Sequence, residues 1–178
     1  EAGLFAADRL DHSHTFIRPH LASGAVVISD RNIHSSLIYQ GVVGDLGLAK
    51  VASMNAAAMI PDLVFWIDCD PKKAMKRIKS GTLRMTSQKQ EYFETQEIQT
   101  TIRQGFHELF GDTGVVPTPF NQCCVVGPIM NEGGLDELKT KLRAELRRFF
   151  NKKPLPLNVD RDEVDRNLLN ALVRDVKK

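Results

Sequence analysis

Three short runs of this chain are apolar without alternation, at residues 25–29, 63–68 and 123–126. A half-buried strand shows a polar residue at every second position. Unbroken runs of this length, rich in Val, Ile and Phe, therefore point to strands covered on both faces. Between them the spacing is helical. From Glu1 to about Ser23, residues Leu4, Phe5, Leu10, Ile17 and Leu21 recur at helical intervals, and Gly24 is placed to stop the helix. Residues 46–59, after a loop pliable at Gly41, Gly44 and Gly47, predict an alanine-rich helix. Asp70 and Pro71 supply the cap and first turn of another, ending near Lys79. Residues 91–110 predict a long helix with Phe93, Ile98, Ile102, Phe106 and Leu109 inward. Gly127-Pro128 is expected to turn the chain before a helix over residues 135–150. Strands separated mostly by helices imply an α/β fold: a parallel sheet flanked by helices on both faces.

The 178 residues fit one domain, and 42% hydrophobic with 26% charged is ordinary for a globular protein. No apolar run approaches the ~18 residues of a membrane span. A net charge of +2 argues for neither nucleic acid nor membrane as a partner. Cys69, Cys123 and Cys124 make an odd set without metal-ligand spacing, which reads as buried free thiols in a reducing cytoplasm. The five histidines lack a ligand pattern as well.

Chemistry concentrates in residues 26–41, VVISDRNIHSSLIYQG. Asp30 and Arg31 fall at the carboxyl end of the first predicted strand, where open α/β sheets place their ligands. Ser35 and Ser36 follow as residues that can begin helical turns. A carboxylate beside a guanidinium suits a magnesium ion and a phosphate meeting at one edge, although a serine-capped Asp-Arg turn explains the pair equally. A second concentration lies between Lys72 and Lys89, which hold seven basic residues and no acidic one. A solvated helical face and a cationic flap closing over polyphosphate both fit that run.

Four pieces, in order, carry a family resemblance: LFAADR at 4–9, SDRNIHSSLIYQG at 29–41, PDLVFWIDCDPKKAMKRI at 61–78 and KQEYFE at 89–94. Together they resemble the thymidylate kinases of the P-loop nucleoside monophosphate kinase superfamily, over residues 4 to 146. The resemblance implies the three-layer P-loop kinase architecture and ATP-dependent phosphorylation of dTMP to dTDP, a step in pyrimidine deoxynucleotide (dTTP) synthesis. It implies Mg2+ as the metal and a cytoplasmic homodimer.

By the same resemblance Phe5 stacks on the thymine ring, and Arg9 reaches the base and the acceptor side. Asp30 serves the magnesium-phosphate cluster, and Arg31 clamps the acceptor phosphate. Ser35, Ser36 and Gln40 line the pocket, while Tyr39 sits near the sugar and disfavours a 2′-hydroxyl. Arg84 becomes the lid arginine on the transferring phosphates, flanked by Arg77 and Lys79, and Asn131 lies near the adenine site. The expected organisation is a kinase-like domain over 1–150 with a lid at about 79–90, then a linker and helix over 151–178.

This sequence departs from the family pattern in lacking a GxxxxGK(S/T) phosphate loop and the central strand before it. The expectation is that the sequence starts partway through the natural protein. Asn32 stands where an aromatic or histidine is usual. The alternatives are a kinase for another pyrimidine monophosphate or a deoxynucleoside, and a non-catalytic nucleotide-binding module.

Overall fold

The first helix ends where the glycine stands. A computed structural model describes residues 1–80 and 95–151. In it α1 (Ala2–His12) continues through a π-helical turn, Ser13–Ile17, into α2 (Arg18–Ala22). The turn begins at Ser13, whose hydroxyl donates to the Arg9 carbonyl at 2.7 Å, a bond back along the helix that competes with the regular ladder. At the far end Gly24 has φ +84°. Its N–H donates to the Leu21 carbonyl, and that of Ala25 to the His20 carbonyl, both at 3.0 Å. This paired closure satisfies carbonyls the helix leaves open and needs a left-handed residue at position 24.

Residues 25–29 form no strand. Val26 and Ile28 are 65% and 88% exposed. An apolar run becomes a strand only beside a second strand that completes its hydrogen bonds, and no described strand pairs with this one.

The chain falls into two compact units: Glu1–Ile60 with Cys69–Asn121, and Pro61–Asp68 with the chain from Gln122 onward. In the first, α3 (Ile33–Ser36) opens one turn earlier than the serines suggest. Asn32 is its cap, accepting from the Ile33 N–H at 2.8 Å. A π-helical stretch, Leu37–Val43, continues it. Ile33, Leu37, Ile38, Val51 and Phe120 are fully buried and make the centre of this unit.

Helix α4 (Leu48–Met54) is shorter than the predicted 46–59. Gly47 at φ +78° precedes it, and Asn55 ends it with a carboxamide bonded back to the Val51 carbonyl at 2.8 Å. In α5 (Pro71–Lys79) the Asp70 carboxylate accepts from the Lys72 and Lys73 N–H groups at 2.8 and 3.3 Å, as the sequence predicts. Helix α6 (Gln96–Phe110) starts after an extended Thr95 whose hydroxyl accepts from the Ile98 N–H, so the helix does not run back through 95. Residues 91–94 of the predicted helix lie outside the described residues.

In the second unit β1 (Leu63–Asp68) pairs in parallel with β2 (Cys124–Met130), from Leu63 opposite Cys124 to Asp68 opposite Met130. The expected turn at Gly127-Pro128 is absent, and the strand runs on to Met130. The register instead slips between Phe65 and Ile67. A Cβ at Gly127 would lie 2.5 Å from the Trp66 carbonyl oxygen, so only glycine lets the two backbones approach there.

Helix α7 (Leu135–Phe150) has the predicted bounds and packs on β2. Asp136 and Glu137 in its first turn, and Arg147 and Arg148 in its last, complement the helix dipole. Two strands, not three, pair among the described residues, and the parallel α/β class stands. No described helix is long and apolar enough to cross a membrane. The three cysteines form no disulfide; Cys123 is buried while Cys69 and Cys124 are half-buried, and burial pushes the Cys123 thiol up to about 12. The predicted lid from 81 onward and the segment 152–178 lie outside the described residues.

Candidate functional site

The first unit joins two segments far apart in sequence through one guanidinium. Arg9 sits on α1, one turn after Phe5, so the two share a helix face. Its Nη2 donates to the Ser36 hydroxyl at 2.7 Å, and its Nη1 donates to the Asn55 carboxamide oxygen. Ser36 and Asn55 are buried. Burial lowers the Arg9 pKa from its ordinary value, while Asp8 acts in the opposite direction. Both hydrogen-bond acceptors are neutral, so they orient the positive charge without opposing it, and the partial compensation comes from the Asp8 carboxylate. Phe5 is 47% exposed beside it.

Three residues beyond Ser36, Tyr39 lies half-buried on the π-helical stretch, and Gln40 follows it. The Arg31 guanidinium lies over the Tyr39 ring, 4.6 Å from its centroid, within cation–π range. Arg31 itself adopts φ +68°. A left-handed non-glycine residue costs about 1–2 kcal/mol. The Ser29 hydroxyl holds it there, donating to the Arg31 carbonyl at 2.7 Å. Strain of this kind persists where surroundings over-determine it, and it concentrates at binding sites.

Asp30 is exposed at the bend just before Arg31, and Ser35 is half-buried. Among the described residues no cluster of three or more His, Cys, Asp or Glu could hold a metal ion. One exposed carboxylate nevertheless fits Mg2+, which keeps several waters and takes its remaining ligands from substrate phosphates.

Of the predicted donor-side residues, Arg77 and Lys79 belong to α5 in the first unit. Arg77 is half-buried on α5 and donates to the Cys69 sulfur at 3.7 Å. Lys79 is the last residue of that helix, and Arg84 lies outside the described residues. Asn131 belongs to the second unit, where its N–H donates to the Asp68 carbonyl at 2.7 Å. A separate cleft of about 570 Å³ runs between α5 and α6, lined among others by Asp70, Lys72, Arg103 and His107. Among the described residues, no predicted site residue lines it.

Sequence reasoning overlooks two residues. Asn55 is hidden inside an alanine-rich helical pattern, and its only signal is a lone amide where that pattern wants an apolar residue. His34 is buried and donates from Nε2 to the Phe120 carbonyl at 3.0 Å, and burial lowers its pKa.

Compared with known proteins, residues 1–119 match the family model for thymidylate kinase. The chain belongs to the thymidylate kinase family. The match includes α1, the Asp30-Arg31 bend and the Ser36–Gln40 stretch, and it stops before Asn131. Among similar proteins is one described as "Probable thymidylate kinase" from Thermococcus gammatolerans, 42% identical over 109 residues, which are 61% of this chain and 50% of that protein. The thymidylate kinase of Acholeplasma laidlawii is 38% identical over 121 residues, covering 65% of this chain and 58% of the other. That of Lactobacillus acidophilus is 46% identical over 82 residues, 44% and 38% of the two chains. This family member thus spans about half the length of the relatives it matches.

Proposed function

We propose that this member of the thymidylate kinase family transfers the terminal phosphoryl group of ATP to dTMP, giving dTDP. The observation that carries the reading is the Arg9 guanidinium, held by Ser36 and Asn55 on uncharged acceptors and sharing a helix face with an exposed Phe5. An aromatic surface beside a cation held on neutral acceptors suits a flat base bearing carbonyl oxygens. Arg31 supplies the second cation, for the monophosphate, and its planar fork matches phosphate oxygens bidentately. Ser35 and Gln40 line the pocket, and Tyr39 lies against the sugar.

The acceptor is a phosphate oxygen, already anionic near neutral pH. No general base is required, and catalysis reduces to positioning and charge neutralisation. Asp30 would hold Mg2+ with the phosphates, and the ion would supply charge neutralisation there. Arg77, Lys79, Arg84 and Asn131 are assigned to the donor side, with Arg84 on a lid at about 79–90. The kinase-like domain extends over 1–150, followed by an extension over 151–178. The working form is a cytoplasmic homodimer.

A coupled ADP-release assay on the full-length protein, offered dTMP, dUMP and dCMP with ATP and Mg2+, tests the reading. Turnover is expected with dTMP. Absence of turnover on all three removes the proposal, and preference for dCMP would move the assignment to another pyrimidine kinase.

A further inference from the structure

We propose that Asn55 is a positioning residue that aims Arg9 at the nucleotide base. The inference rests on the dTMP reading above and adds the residue that sets its cation in place. Asn55 is 2% exposed and sits at the end of α4, 46 residues along the chain from Arg9. A carboxamide has one oxygen that only accepts and one nitrogen that only donates. The nitrogen is committed to the Val51 carbonyl at 2.8 Å. The oxygen must then face Arg9, where it accepts from Nη1.

The other edge of the guanidinium is taken by the Ser36 hydroxyl at 2.7 Å. Two neutral acceptors fix the plane of the fork and add nothing to the partial compensation its charge already receives from Asp8. A carboxylate at position 55 would still accept from the fork but would oppose its charge and could not donate to the Val51 carbonyl. The residue type is therefore informative: asparagine orients without neutralising. Its cost is local, because closing the carboxamide on Val51 stops α4 at Met54. No apolar residue at 55 could serve both groups: the Val51 carbonyl would lose its carboxamide donor and the half-buried Arg9 would keep only Ser36.

The test is a double-mutant cycle read as dTMP affinity by titration calorimetry on the full-length protein. Asn55→Ala is expected to weaken dTMP about tenfold, the scale of one charge-assisted hydrogen bond. In an Arg9→Gln background the same change is expected to alter affinity less than about twofold, because Asn55 acts through Arg9. In turnover assays KM for dTMP is expected to rise with the dissociation constant, while kcat at saturating dTMP changes less than about threefold.

Asn55→Asp serves as the second variant and carries the test if the alanine variant does not fold. It keeps the fork in place, and its weakening of dTMP is expected to vanish when Arg9 is already glutamine. Equal losses in both backgrounds overturn the inference while leaving the dTMP reading intact. Failure of the wild-type protein to bind dTMP removes that reading, and this inference with it.

Discussion

Arg31 is held in a conformation its side chain disfavours, and that separates its part in folding from its part in binding. The residue sits at φ +68° with its guanidinium over Tyr39. Glycine adopts this backbone without the steric cost. Arg31→Gly is therefore expected to leave urea stability within about 1 kcal/mol of the parent, relief of strain offsetting the lost cation–π contact. Activity on dTMP is expected to fall by at least about a hundredfold, since a charge-assisted phosphate clamp is gone. Chemical denaturation and ADP release on one preparation would check both halves. Retained activity in a stable variant would reject the role assigned to Arg31.

Among the elements, those closed by local chemistry were legible in advance and those closed by distant partners were not. Asp70 caps α5, Gly24 ends the first helical stretch, and α7 keeps its predicted bounds, because each signal lies within a few residues of the boundary it sets. Asp70→Ala is accordingly expected to destabilise its unit by about 1 kcal/mol, measured by urea unfolding. The end of α4 was not legible, because nothing in the alanine-rich pattern marks Asn55 as the residue whose carboxamide closes on the Val51 carbonyl. The continuation of β2 through Gly127-Pro128 was equally hidden, since it requires Trp66 to lie against a glycine with no side chain. Residues 25–29 carry a strand's composition but pair with no described strand, which composition cannot report. In the site, the Arg9 and Ser36 assignments followed motif residues that the structure joins by a hydrogen bond. Asn55 had no motif to follow.

For the molecule as a whole, buried His34 makes stability depend on pH. Its folded-state pKa is depressed by burial, so the folded protein keeps the ring neutral where the unfolded chain takes a proton. The unfolded state then binds more protons below the ordinary value of about 6.5, and stability falls there as pH falls. Stability, read from the melting temperature, is expected to hold above neutral pH and to fall as pH drops below about 6.5, by up to about 1.4 kcal/mol per pH unit from this one group. His34→Gln, which keeps a donor for the Phe120 carbonyl, is expected to flatten that slope.

Trp66 is the only tryptophan of the 178 residues, and it is 6% exposed on β1 against Gly127. The chain thus carries its own optical reporter: indole emission is blue while the strand ladder stays shut and shifts red once water enters. Gly127→Ala, which thrusts a methyl group at the Trp66 backbone, is expected to bring that colour change at lower urea than in the parent protein. A steady-state fluorimeter suffices to see it, with no dye attached.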